Sequence, residues 1–91
     1  MAMGLIILFD TEVEELGAPL LQIVIKYARS GDTDARDTRR RALKQLGRLG
    51  CRRALLFLVD RFATSGDIDE REVRHTAFDY IEAIDSGKRI E

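Results

Sequence analysis

The sequence predicts a small all-α protein made of tandem helix–turn–helix units, and three observations carry that prediction. Shifted by 35 positions, residues 16–49 lie over residues 51–84 without a gap. The apolar residues of each unit recur at helical spacing. The turn-forming residues, Pro19 and the two Ser-Gly-Asp stretches, fall at the edges of the periodic segments.

The internal match is the strongest signal. Its identical pairs are Leu20/Leu55, Leu21/Leu56, Val24/Val59, Ala28/Ala63, Ser30/Ser65, Gly31/Gly66, Asp32/Asp67, Asp34/Asp69, Arg36/Arg71, Arg39/Arg74 and Ala42/Ala77, eleven in 34 positions. Conservative pairs such as Ile23/Leu58, Tyr27/Phe62, Asp37/Glu72, Leu43/Phe78 and Leu46/Ile81 fill the intervals.

Each unit reads as two helices around a turn. Pro19, in the first turn where its missing N–H is harmless, opens a helix over about 18–29, and Gly31 supplies the left-handed residue that ends it. The equivalent helix spans 51–64 and is closed by Gly66. Asp32 or Asp34, and Asp67 or Asp69, cap the helices that follow, over about 35–48 and 69–85; Asp69 with Glu72 resembles a capping box. The helix over 35–48 carries Ala42, Leu43, Leu46 and Leu49 on one stripe and basic residues on the other. The run Ala54-Leu-Leu-Phe-Leu-Val59 is apolar nearly all round, which predicts neighbours on more than one side. Thr11-Glu12-Val13-Glu14 suggests a short helix over 11–17, whereas residues 3–9 suit either a helix or a strand. The total is about five helices in about two and a half units.

Composition narrows the function classes. A chain of 91 residues makes one domain, and its 45% hydrophobic and 34% charged residues suit a soluble fold. No apolar run approaches the ~20 residues of a membrane helix. Leu5-Ile-Ile-Leu-Phe9 has no preceding basic residue and makes a poor signal peptide. A single cysteine, Cys51, allows no intrachain disulfide and points to a reducing, cytoplasmic setting. The formal net charge of −1 exerts no global pull toward nucleic acid or membrane.

The segment Asp37-Thr-Arg-Arg-Arg-Ala-Leu-Lys-Gln-Leu-Gly-Arg-Leu-Gly50, with Ala54–Val59 and Asp67-Ile-Asp-Glu-Arg-Glu-Val-Arg-His-Thr-Ala77, resembles HEAT-like repeats of the short type also found in phycobilin lyases. Val73-Arg74 with Ala77, and Arg39 with Ala42, Leu46 and Gly47, carry the resemblance; Thr38 departs from the usual valine, and the linker and second helix are longer. The resemblance covers about 16–85. It implies a right-handed α-solenoid in which Asp32/Asp67 and Arg39/Arg74 form a polar ladder between adjacent turns. Tetratricopeptide repeats share the period, but their aromatic and small residues do not fall at the right spacings here.

Chemistry is sparse. Asp32-x-Asp34 and Asp67-x-Asp69 hint at a calcium loop, but Arg36 and Arg71 stand where an oxygen ligand belongs and Leu43 and Phe78 replace the closing glutamate. One histidine and one cysteine cannot build a zinc site. Cys51 and His75 could form a nucleophile–base pair, yet nothing in their spacing selects it. Gly47-x-x-Gly50 lacks the ending of a phosphate loop and reads as an inter-helix turn. No catalytic, metal or cofactor residue is therefore assigned, and the chain reads as a non-enzymatic interaction module.

Residues 36–53 carry eight basic side chains against one acid. This patch either packs beside acidic neighbours, Glu12, Glu14 and Glu15 among the candidates, or meets phosphates. Against the second reading stand the pI of about 5.8 and the lack of interleaved aromatic residues. Partner contact is assigned to Gln22, Lys26, Phe57 and Arg61 on the helix faces and to the basic row Arg41, Lys44 and Arg48, with nucleic acid as the alternative ligand. Leu5–Phe9 at one end, and Phe78, Tyr80 and Ile81 at the other, have no covering unit in the repeat pattern. That predicts a homodimer, by end-to-end stacking or by exchange of the N-terminal segment.

Overall fold

The computed structural model describes residues 15–90, and among these there are four helices and no strand. Helix α1 is described from residue 15 and runs to residue 26, α2 is Thr33–Leu49, α3 is Arg52–Arg61 and α4 is Ile68–Asp85. The expected fifth helix over 11–17 is not separate: residues 15–17 are continuous with α1, while 11–14 and the ambiguous 3–9 lie outside the described residues. Pro19 consequently sits beyond the residues where the helix is already formed. Its ring removes one intrahelical bond, to the carbonyl of residue 15.

Local sequence sets the N-termini of α2 and α4. Asp32 caps α2 by accepting from the backbone N–H groups of Asp34, at 3.1 Å, and Ala35, at 3.3 Å. Asp67 caps α4 by accepting from Glu70 N–H at 2.9 Å. The capping box is therefore Asp67 with Glu70, and not Asp69 with Glu72. It is closed through Ser65, whose hydroxyl accepts from Asp67 N–H at 3.2 Å and donates to the Glu70 carboxylate at 2.6 Å. Asp69 and Glu72, released from capping, point to other partners.

The ends of α1 and α3 differ from the expectation. Gly31 and Gly66 do not adopt the left-handed conformation; among the described residues only Gly50, at φ 74°, and Gly87, at φ 69°, do so. The helices stop at residues 26 and 61, and their exposed carbonyls are met by arginines from the next helix. Arg39 Nη1 donates to the carbonyls of Tyr27, at 3.2 Å, and Ala28, at 3.4 Å. Arg74 Nη1 donates to those of Phe62, at 3.0 Å, and Ala63, at 2.8 Å. The carbonyls of Tyr27 and Phe62 also accept from the N–H groups of Ser30 and Ser65, both at 3.2 Å, so the guanidinium and the turn share the work a glycine cap would do.

The α2–α3 connection is tight. Gly50 turns the chain, and its N–H and that of Cys51 bond the carbonyls of Gly47 and Leu46. Gly47 itself lies inside α2, not in the turn. A Cβ there would sit 2.9 Å from Ile90 Cδ1 and 3.0 Å from Tyr80 Cγ, so glycine lets the end of α4 and the chain beyond it approach α2.

One apolar cluster holds the helices together. Val24 of α1 and Ala28 just beyond it, Ala42, Leu43 and Leu46 of α2, Cys51, Ala54, Leu55 and Leu58 around α3, and Val73, Ala77 and Ile81 of α4 are all buried in it. Each fully buried leucine contributes about 2 kcal/mol by its removal from water. Helix α3 is not enclosed on all sides: Leu56 and Phe57 remain 40% and 45% exposed.

Candidate functional site

Helix α2 presents basic residues along the flank that α4 approaches, and three of them, with Arg52 of α3, are spent on pairing with α4. Arg36 Nε donates to Asp69 at 2.8 Å. Arg40 grips Glu72 with two bonds of 2.8 and 3.0 Å, and Arg52 grips Asp85 with two of 2.9 and 3.1 Å. Arg39 is fully buried; its Nη2 donates to Glu72 at 3.1 Å and lies 3.5 Å from Asp69, while its Nε finds no acceptor among the described residues. Among the described residues the acids paired with these arginines come from α4; Glu12 and Glu14 lie outside the described residues.

The polar ladder also differs in membership from the one the family resemblance implies. Asp32 and Asp67 cap helices, whereas Arg39 reaches Asp69 and Glu72, so the ladder joins α2 to the first turns of α4.

Bidentate arginine contacts favour the ionised carboxylate. The hydrogen bond from Arg40, with that from Arg39, holds the Glu72 carboxyl at about 2, well below its ordinary 4.5, against the opposing effect of burial. The bond from Arg36 lowers Asp69, and the bond from Arg52 lowers Asp85. A carboxyl depressed in the folded state adds stability that is complete above its unfolded value and is lost as pH falls toward the folded one. Thermal unfolding followed by circular dichroism should therefore show a Tm that falls as pH drops from 4.5 toward 2. Glu72→Gln should flatten that fall. Equal slopes for the two proteins would mean that Glu72 does not carry the acid sensitivity.

The residues assigned to partner contact separate into distinct surfaces. Arg41 and Lys44 line one groove of about 400 Å³ with Arg40, Glu72, Thr76 and Tyr80. Arg48 faces another, of about 950 Å³, with Gly47, Gly50, Ile84, Lys88 and Arg89. The basic row is therefore divided between two places. Gln22 and Lys26 are exposed on α1, and Phe57 and Arg61 on α3. Lys26 lies over the Tyr27 ring at 5.4 Å and Arg61 over the Phe62 ring at 5.8 Å. Those two cations thus rest against their own chain.

A third groove, of about 240 Å³, runs between α1 and α2 and is lined by Leu20, Ile23, Thr38, Arg41, Ala42 and Gln45. Apart from Arg41, its lining residues are not among those assigned to partner contact from the sequence. Its signal was available, because the same positions 35 residues later are Leu55, Leu58, Val73, Thr76, Ala77 and Tyr80, four of which belong to the buried core.

Cys51 is buried at the head of α3, and His75 is exposed on α4. Among the described residues no group of three His, Cys, Asp or Glu side chains is arranged to hold a metal ion, and no helix is long and apolar enough to cross a membrane. In comparisons with known proteins, no family model, no curated protein and no solved structure matches the chain.

Proposed function

We propose that this protein is a small non-enzymatic helical-repeat scaffold of HEAT-like type, a right-handed α-solenoid that works by presenting helix faces to another protein. One observation carries the reading: half of the basic side chains between residues 36 and 53 are paired within the chain, while large apolar side chains stand in solvent. Arg36, Arg39, Arg40 and Arg52 are paired with acids of α4. Leu56, Phe57, Phe78 and Ile68 are 40%, 45%, 50% and 75% exposed. Apolar anchors with arginine nearby are what protein interfaces use, and phosphate backbones do not reward them. The single buried cysteine fits a reducing compartment such as the cytoplasm.

Among the described residues Arg41, Lys44 and Arg48 make no acidic contact as short as those of their neighbours, and they support the alternative of phosphate-backbone binding. Light scattering after size exclusion, at low and high salt, with and without a short DNA duplex, separates the two. The scaffold reading expects a profile that ignores the duplex at either salt concentration. A duplex-dependent shift confined to low salt, abolished by the combined Arg41→Glu, Lys44→Glu and Arg48→Glu substitutions, would instead establish nucleic-acid binding.

A further inference from the structure

Compared position by position, the two helix pairs show a directional pattern of exposure. Several residues of the first pair that the second pair covers are buried, and their counterparts 35 residues later are more open, although Ile81 is buried as its counterpart Leu46 is. Val24 is fully buried and Val59 only partly; Ala28 is 1% exposed and Ala63 is exposed; Leu43 is fully buried and Phe78 is 50% exposed. On the opposite side the order reverses. Leu16 is 59% exposed against 0% for Cys51, and Leu20, Ile23 and Thr38 are more open than the fully buried Leu55, Leu58 and Val73.

The contact between the pairs shows what complements each open side. Within the chain, Arg36, Arg39 and Arg40 of α2 meet Asp69 and Glu72 of α4. Leu43 enters the cluster with Leu55, Leu58, Val73 and Ala77. The same positions advanced by 35 are Arg71, Arg74, His75 and Phe78 on the far side of α4. The acids moved back by 35 are Asp34 and Asp37, both exposed on α2, beside the groove of Leu20, Ile23, Thr38 and Ala42. One end of the molecule therefore carries Arg71 and Arg74 with a projecting phenylalanine, and the other carries Asp34 and Asp37 near an open groove that Arg41 also lines.

We infer that a second copy of this chain stacks head to tail on the first, its α1–α2 groove receiving Phe78 and its Asp34 and Asp37 meeting Arg71 and Arg74. The inference rests on the reading of the chain as a stacking scaffold, and it names the partner. The contact is heterologous: each copy contributes a different face, so it propagates unless the rotation closes a ring. The repeat supplies the charge complementarity, because the copy-to-copy contact reuses the arrangement by which α2 holds α4.

The test uses two full-length variants. Phe78→Ala removes the projecting anchor and leaves the groove face intact. The double variant Asp34→Arg, Asp37→Arg reverses the groove face and leaves the phenylalanine face intact. Circular dichroism establishes that both fold. In sedimentation velocity from micromolar to millimolar concentration, the wild type should form species larger than a dimer. Each variant alone should assemble at least about tenfold more weakly, the loss usual for an interface anchor. An equimolar mixture should recover a 1:1 dimer that grows no further, since one intact face of each kind remains. Three outcomes would overturn the inference: a wild type that stays monomeric, variants that assemble as the wild type does, or a mixture that shows no recovery. Self-association that persists in both variants would leave the scaffold reading standing on another face. A duplex-dependent shift at low salt would remove the scaffold reading itself.

Discussion

Arg39→Ala is expected to destabilise the fold by about 3 kcal/mol, the cost of breaking a buried ion pair by removing one partner. Arg39 is 0% exposed, and it binds four acceptors on two other elements: the carbonyls of Tyr27 and Ala28 and the carboxylates of Asp69 and Glu72. Truncation removes the side-chain donor to the Ala28 carbonyl, while that of Tyr27 keeps only the Ser30 N–H, and it opens a cavity between α1, α2 and α4. Arg39→Lys keeps the charge but offers one point where the guanidinium offers a fork, so it should recover only part of the loss. Urea denaturation followed by circular dichroism measures both. A midpoint for Arg39→Ala close to that of the wild type would show that the arginine is a passenger in the core.

The second large effect is a contrast between repeat counterparts. Leu43→Ala should cost about 3.5 kcal/mol, the middle of the range for a buried leucine, because neighbours on α3 and α4 leave a cavity that cannot collapse. Phe78→Ala, at the equivalent position but 50% exposed, should cost under about 0.5 kcal/mol in a dilute, unassembled sample. The two are compared by the same denaturation at low protein concentration. Equal losses would mean that Phe78 is packed against the chain's own residues.

What the sequence made readable follows from the range of each interaction. The caps at Asp32 and Asp67 depend on N–H groups two or three residues away, so composition at the turn announces them. The ends of α1 and α3 depend on arginines eleven or twelve residues further on, across a turn. The glycines at 31 and 66 were the nearer and wrong candidates for that task. The basic cluster was visible as charge, but its partners lie 32 or 33 residues away, slightly short of the 35-residue period, and only the docking of α4 brings them into reach. The run 54–59 announced its packing in part: α3 has both α2 and α4 as neighbours, yet Leu56 and Phe57 face outward because no element covers that flank among the described residues. The three grooves form where helices meet, so no stretch of sequence contains them whole.

The packing around Cys51 has a consequence for chemistry over time. The thiol is 0% exposed, and even a methyl group on Gly17 would lie 2.7 Å from its sulfur, so α1 lies directly over it. Alkylating and oxidising reagents need contact with the thiolate. The side chain can react only in moments when α1 lifts away, and its labelling rate becomes a clock for that opening. Because the core carries the same cluster from α1 to α4, slow labelling at Cys51 would report that the first helix leaves only when the whole cluster loosens.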